Sequence, residues 1–193
     1  MTFSEFVSYY LFDIVLPSGS IKSKTLTSYE SMYRNHIKYS TIGNIKLTEL
    51  KREHLQKYFN HLLNTHLKLS TIKVIKTFIS IILKYAVDKD YILKNYCSSI
   101  KLPNKNENKI NKYLTDEDVQ AVFDNCNDKK LLIIIKIALS TGMRINEVIA
   151  LTENDFDFNN CSINVNKTLS CCKVFEDKNN YKNQIIVTTP KSK

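Results

Sequence analysis

The chain has 193 residues, with 28 Lys and Arg against 19 Asp and Glu, a net charge of +9 and 43% hydrophobic residues. That length holds one large domain or two small ones, and the uneven charge favours two: residues 1–112 carry 18 basic and 8 acidic side chains, residues 113–193 carry 10 and 11. A front half of +10 beside a back half of −1 points to a polyanion partner for the first part, nucleic acid or a membrane surface. Heavy use of Lys, Asn, Ile and Ser also follows from an AT-rich gene, but that bias does not explain the shortage of acids.

No run approaches the roughly 18 consecutive apolar residues of a membrane span. Residues 1–16 carry Glu5 and Asp13 in place of a basic leader, so a cytoplasmic protein with no membrane partner is expected. Cys97, Cys126, Cys161, Cys171 and Cys172 are odd in number and form no C-x-x-C pair, which reads as reduced thiols. His36, His54, His61 and His66 show no i, i+4 pairing, so neither a metal nor a cofactor is expected.

In chain order, Phe3, Phe6, Val7, Tyr10, Leu11 and Ile14 recur at helical spacing until Pro17 and Gly19 end the segment. A second helix is expected over 26–37 with Thr25 as N-cap, then a turn at Gly43. Leu50, Leu55, Tyr58, Phe59 and Leu62 define a third helix, and Ser70 or Thr71 caps a fourth that reaches Val87. Residues 1–100 thus read as a helical bundle. In the fourth helix Ile72, Ile75, Ile79, Ile82 and Leu83 face a core and leave Lys73, Lys76, Thr77, Ser80 and Lys84 as a polar stripe. Such a stripe can track a phosphate backbone or be an ordinary solvated face.

Residues 101–112 hold Pro103, four asparagines, several lysines and almost no apolar side chains. This is the composition of a linker, either a strap over DNA or a plain tether. Thr115 and Asp118 then resemble a capping box, and helices are expected over 116–126 and 130–140. Beyond the next turn, Cys161, Ile163 and Val165 alternate with polar residues as in a strand, with 184–189 as its partner and a long excursion through Asp177, Asn179 and Asn180 between them.

The turn in question is ALSTGMRINEVIALT, in which Arg144 follows Gly142 where one apolar helix ends and another begins. A glycine stop and a new helix start place Arg144 in a first turn, where free N–H groups and the helix dipole favour an anion. Alternatively, Arg144 is a surface residue after a helix cap. Thr141, Gly142, Met143, Arg144 and Glu147 resemble the first catalytic arginine motif of the tyrosine recombinases, the phage and transposon integrases. Leu151 and the run Asp155, Phe156, Asp157 resemble that motif's continuation into the first strand.

The resemblance implies a mainly α chain: a SAM-like bundle of four to five helices in 1–100, a basic linker in 101–112, and in 113–193 the first part of an α+β catalytic domain with a small antiparallel hairpin. It implies double-stranded DNA as partner and transesterification through a phosphotyrosyl intermediate, without metal or nucleotide. Arg144 would stabilise the pentacoordinate phosphate, to which a guanidinium offers two parallel donors. Lys191, or alternatively Lys193, would protonate the leaving 5′ oxygen. Glu147 would support the arginine or close the helix start.

The departures matter equally. The family continues with a His-x-x-Arg element, a further histidine or tryptophan, and a late nucleophilic tyrosine. Here every histidine precedes residue 67, Arg144 is the last arginine, and Tyr181 is the only tyrosine after it. Tyr181 is not expected to be a nucleophile, so these residues are expected to bind DNA without cleaving it. Family members act as tetramers on DNA, and this fragment is expected to be a monomer. It reads as the N-terminal part of an integrase, or as a naturally short DNA-binding protein that competes with an intact recombinase. An adaptor for RNA or an acidic protein partner is the remaining alternative.

Overall fold

The computed structural model describes residues 1–103 and 113–190, and the chain divides into two compact units. Unit 1 comprises Met1–Glu107 with Lys173–Lys182, and unit 2 comprises Asn108–Cys172 with Asn183–Lys193. The whole is mainly helical, with two small two-stranded sheets.

Unit 1 begins with α1, which runs as Phe3–Tyr9, a π-helical stretch Tyr10–Val15 and a last turn Leu16–Ser18. Thr2 Oγ1 accepts from the Glu5 N–H and Glu5 Oε2 accepts from the Thr2 N–H, at 3.2 and 2.7 Å, so a capping box opens the helix. The wider π turns fall just before Pro17, which has no N–H to continue the α ladder. Gly19 then ends the helix at φ 59°.

The second helix, α2, covers Ser23–Met32 and a π stretch Tyr33–Ile37. It starts earlier than Thr25, because the Lys22 carbonyl already accepts from Thr25 and Leu26 N–H. The turn that follows brings Gly43 against the backbone carbonyl of Ile37, where any Cβ would collide. From there Phe3 N–H donates to Ile45 O and Ser4 N–H to Gly43 O, at 2.8 and 3.0 Å, which ties the chain start to this turn.

Helix α3 is Arg52–Leu63 and α4 is Leu69–Asp88. Ser70 and Thr71 lie inside α4's first turn, since the Lys68 carbonyl accepts from Ile72 N–H. Ile72, Ile75, Phe78, Ile79, Ile82, Leu83 and Ala86 are all buried along α4, against Phe3, Phe6 and Leu11 of α1 and Leu55 and Phe59 of α3. Tyr58 Oη donates to the His36 carbonyl at 2.6 Å, and burial pushes its phenol up. Cys97 is buried, and its thiol is pushed up to about 12 by burial. It stays protonated and inert.

In unit 2, α5 is Asp116–Asn125, α6 is Lys129–Thr141 and α7 is Ile145–Val148. The capping box with Asp118 in place of Glu is present, with bonds of 3.2 and 3.0 Å between Thr115 and Asp118. Gly142 ends α6 at φ 69°. Strand β1 (Phe156–Asp157) pairs antiparallel with β2 (Ser162–Ile163). Strand β3 (Thr168–Phe175) pairs with β4 (Tyr181–Thr188).

This corrects the strand pairing expected from sequence. The 161–165 segment turns back on β1, and β4 takes β3, whose sequence TLSCCKVF has no clean alternation. The expected excursion is a tight turn, because Asp177 Oδ1 accepts from Asn179 and Asn180 N–H at 2.7 and 2.9 Å. The end of this hairpin belongs to unit 1, where Phe175 packs edge-on to Phe12 and Lys173 bonds Glu30 at 2.9 Å.

An ion pair orders the chain after α7. Lys167 Nζ lies 2.6 Å from Asp155 Oδ2 and donates to Thr152 Oγ1 at 2.9 Å. The bond from Lys167, with those from the Thr152 N–H and hydroxyl, holds the Asp155 carboxyl down to about 2. A carboxyl depressed in this way contributes stability fully above its unfolded value of about 3.9 and loses it as pH falls through about 2. A carboxyl NMR titration should therefore find the Asp155 midpoint near pH 2 and move it upward in Lys167→Met; a native midpoint at the ordinary aspartate value would contradict the pairing.

The two units differ in core. Among the described residues of α5 and α6 none is buried, and Leu131, Ile133 and Leu139 are exposed although α6 is apolar on nearly every side, the pattern of a helix meant for burial. Hydrogen exchange should accordingly show amides of α1, α3 and α4 protected to the level of global unfolding and those of α5 and α6 exchanging much faster. Equal protection in both units would contradict this division.

Candidate nucleic-acid interface

Because the buried stripe of α4 fixes its rotation, the opposite side carries Lys73, Lys76, Thr77, Ser80 and Lys84. These five, with Ile81, Ser98 and Leu102, line an open groove of about 520 Å³. The second wall comes from the 3₁₀ turn Tyr96–Ser99 and the residues after it. Asn95 builds that wall: its Oδ1 accepts from Cys97 N–H at 3.0 Å, while its Nδ2 donates to the Ser80 carbonyl and hydroxyl at 3.0 and 3.1 Å. Sequence periodicity finds the stripe but not the wall, since Ser98 and Leu102 lie outside any regular α-helix. The asparagine before a short serine-rich turn was the available signal.

The stripe is not uniform. Lys76 Nζ donates to the Ile100 carbonyl at 2.6 Å and is half-buried, and the Thr77 hydroxyl bonds back to the Lys73 carbonyl at 3.0 Å. Lys73 and Lys84 are exposed and form no ion pair among the described residues. They are the side chains left to meet an anion, whereas Lys76 holds the groove's second wall in place.

In unit 2, Arg144 is the N-cap of α7, one position before its first turn. Its N–H donates to Glu147 Oε2 at 2.9 Å and its Nη1 to Glu147 Oε1 at 3.1 Å. Glu147 therefore both closes the helix start and supports the arginine. The bond from the Arg144 N–H, then the bond and charge of the guanidinium, hold the Glu147 carboxyl below its usual range. This alters the expected anion grip. Helix α7 has four residues and its cap N–H is taken by Glu147, so an anion would be met by the guanidinium and not by the backbone. The geometry suits that: the Glu147 side chain is 8% exposed and the Arg144 side chain 66%, which leaves the outer N–H donors facing solvent.

Lys191 and Lys193, the expected proton donors, lie outside the described residues. Tyr181 opens β4 and belongs to unit 1, whereas Arg144 belongs to unit 2. Among the described residues no group of three or more His, Cys, Asp or Glu could hold a metal ion, and no helix is long and apolar enough to cross a membrane.

Two family models match the chain: the N-terminal SAM-like domain of phage integrases over residues 2–63, and the phage integrase family over residues 112–190. A tyrosine recombinase XerC-like protein of Caldanaerobacter subterraneus is 29% identical over all of this chain and 50% of its own length. A prophage ps2 probable integrase of Lactococcus lactis is 27% identical over 90% of this chain and 45% of its own. The chain thus spans about half the length of these curated relatives. In fold it is similar to the Tn1549 transposon integrase solved with transposon right end DNA, with a TM-score of 0.75 and 22% identity over 99% of this chain and 58% of that one. A lambda integrase tetramer bound to a Holliday junction gives 0.69 and 16%, over 88% of this chain and 47% of that one. With a helical SAM-like unit in front and an arginine-bearing α+β unit behind, the chain belongs to the phage integrase family of tyrosine recombinases.

Proposed function

We propose that these 193 residues are the DNA-gripping part of a site-specific tyrosine recombinase, and that double-stranded DNA is their partner. The groove along α4 is the observation that carries this reading, because its lysines and hydroxyls repeat along one face with no acidic residue among its lining side chains. Such a surface contacts phosphates and fixes register without reading bases. The positive charge of the front half supports it, as do relatives whose names are recombinase and integrase and similar folds solved on DNA.

In this reading Arg144 sits on the scissile phosphate. A tyrosine hydroxyl attacks phosphorus and releases its proton to water, the bond to the 5′ oxygen breaks, and that oxygen takes a proton from Lys191 or Lys193. The guanidinium holds the nonbridging oxygens as charge builds there, with Glu147 fixing its orientation. The attacking tyrosine and its companion residues would come from sequence beyond this stretch, in keeping with the greater length of the relatives.

Duplex binding should be salt-sensitive, and Lys73→Gln/Lys84→Gln should weaken it and flatten the log–log salt slope by about 2, at roughly 0.9 for each phosphate that is no longer neutralised. An unchanged slope would make this face merely solvated. With a nicked suicide duplex, these residues alone should leave no denaturation-resistant adduct. Recovery of one through Tyr181 would overturn the assignment of the nucleophile.

A further inference from the structure

Unit 1 carries a second basic concavity that duplex binding on α4 does not use. It is an open pocket of about 520 Å³ where the end of α2 meets the hairpin turn, lined among others by Arg34, Lys38, Lys173, Lys178, Tyr33 and Tyr181, all within unit 1. Its charge is arranged around one buried acid. Glu30 is 8% exposed, and its two oxygens take the Arg34 Nε at 3.1 Å and the Lys173 Nζ at 2.9 Å. That single carboxylate leaves the lining at a net charge of +3; Lys178 and the outer nitrogens of Arg34 remain available for an anion, and Lys38, whose ammonium lies 5.0 Å from the Tyr39 ring centroid, has no carboxylate partner among the described residues.

Aromatic content separates this pocket from the α4 groove. No aromatic side chain lines the groove, as befits a surface that follows a backbone. Here the Tyr181 ring has the Lys173 ammonium 4.2 Å from its centroid and Phe175 tilted at 5.4 Å. Those neighbours hold the ring in place while 46% of the residue stays exposed. A fixed, half-open ring beside unneutralised cations is the combination that binds unpaired nucleic acid, because phosphate charge and a base face are satisfied together. Bases inside a duplex are stacked on both sides and cannot reach such a ring without leaving the stack.

We propose that this pocket takes one nucleotide of an unpaired DNA strand, its phosphate among Arg34, Lys38 and Lys178 and its base on the open side of Tyr181. This goes beyond duplex binding on α4 and does not require it.

The test is titration of a dye-labelled five-residue oligothymidylate onto the full chain, followed by fluorescence anisotropy. The native protein should bind it. Tyr181→Leu should weaken binding roughly tenfold, Tyr181→Phe should retain it, and Lys38→Gln/Lys178→Gln, which leaves the Glu30 pairs intact, should weaken it and flatten its salt slope. Lys73→Gln/Lys84→Gln should leave it unchanged while reducing duplex binding, so the two readings fail separately. The proposal is overturned if the oligonucleotide does not bind, if Tyr181→Leu binds like the native protein, or if the α4 variant loses the oligonucleotide. Should Tyr181→Leu melt out by circular dichroism, the Lys38/Lys178 variant decides the matter.

Discussion

Burial of one side of α4 is the constraint on which the rest of unit 1 depends. Each of its buried isoleucines is worth roughly 1.5–3 kcal/mol, and Ile72, Ile75, Ile79 and Ile82 are all buried in one core cluster with Phe3, Phe6, Leu55 and Phe59. Rotating the helix by a single residue would bury Lys73 or Lys76 and expose an isoleucine, which costs several kcal/mol. The lysines point outward because the isoleucines cannot. The same requirement places the Tyr96–Ser99 turn against α4, where Asn95 ties it to Ser80 and turns a convex helix face into a groove.

Charge is handled differently at the two basic surfaces and at Arg144. On α4 the outward lysines have no acidic neighbours among the groove's lining side chains. At the hairpin turn a buried Glu30 uses two cations to hold the α2 end and Lys173 together, so part of the positive charge is structural. At Arg144 one guanidinium nitrogen is fixed by Glu147 while the side chain as a whole is 66% exposed. A lysine there could not keep one donor on Glu147 and still offer a planar pair to a phosphate.

Much of this was legible in the sequence wherever a period of 3.6 residues dominates. The buried positions of α4, the Thr115–Asp118 box and the Gly142 stop follow from spacing and residue type alone. Helix starts were less legible: Thr25, Ser70 and Thr71 are good caps by type, but the Lys22 and Lys68 carbonyls begin the ladders first. The strand pairing was hidden because β3 and the segment at 161–165 have similar β-forming content, and a turn closed by Asp177 side-chain bonds leaves little trace in hydrophobic pattern. The Asp155–Lys167 pair and the Glu30 centre join residues 12 and 143 positions apart, beyond the reach of local periodicity.

The central claim, that α4 presents the surface that meets duplex DNA, is tested most directly by acetylating lysines in the presence and absence of DNA and reading each site by mass spectrometry. Duplex DNA should slow modification of Lys73 and Lys84 while Lys57, exposed on α3, reacts at its original rate. Protection of Lys57 with none at Lys73 and Lys84 would contradict the account.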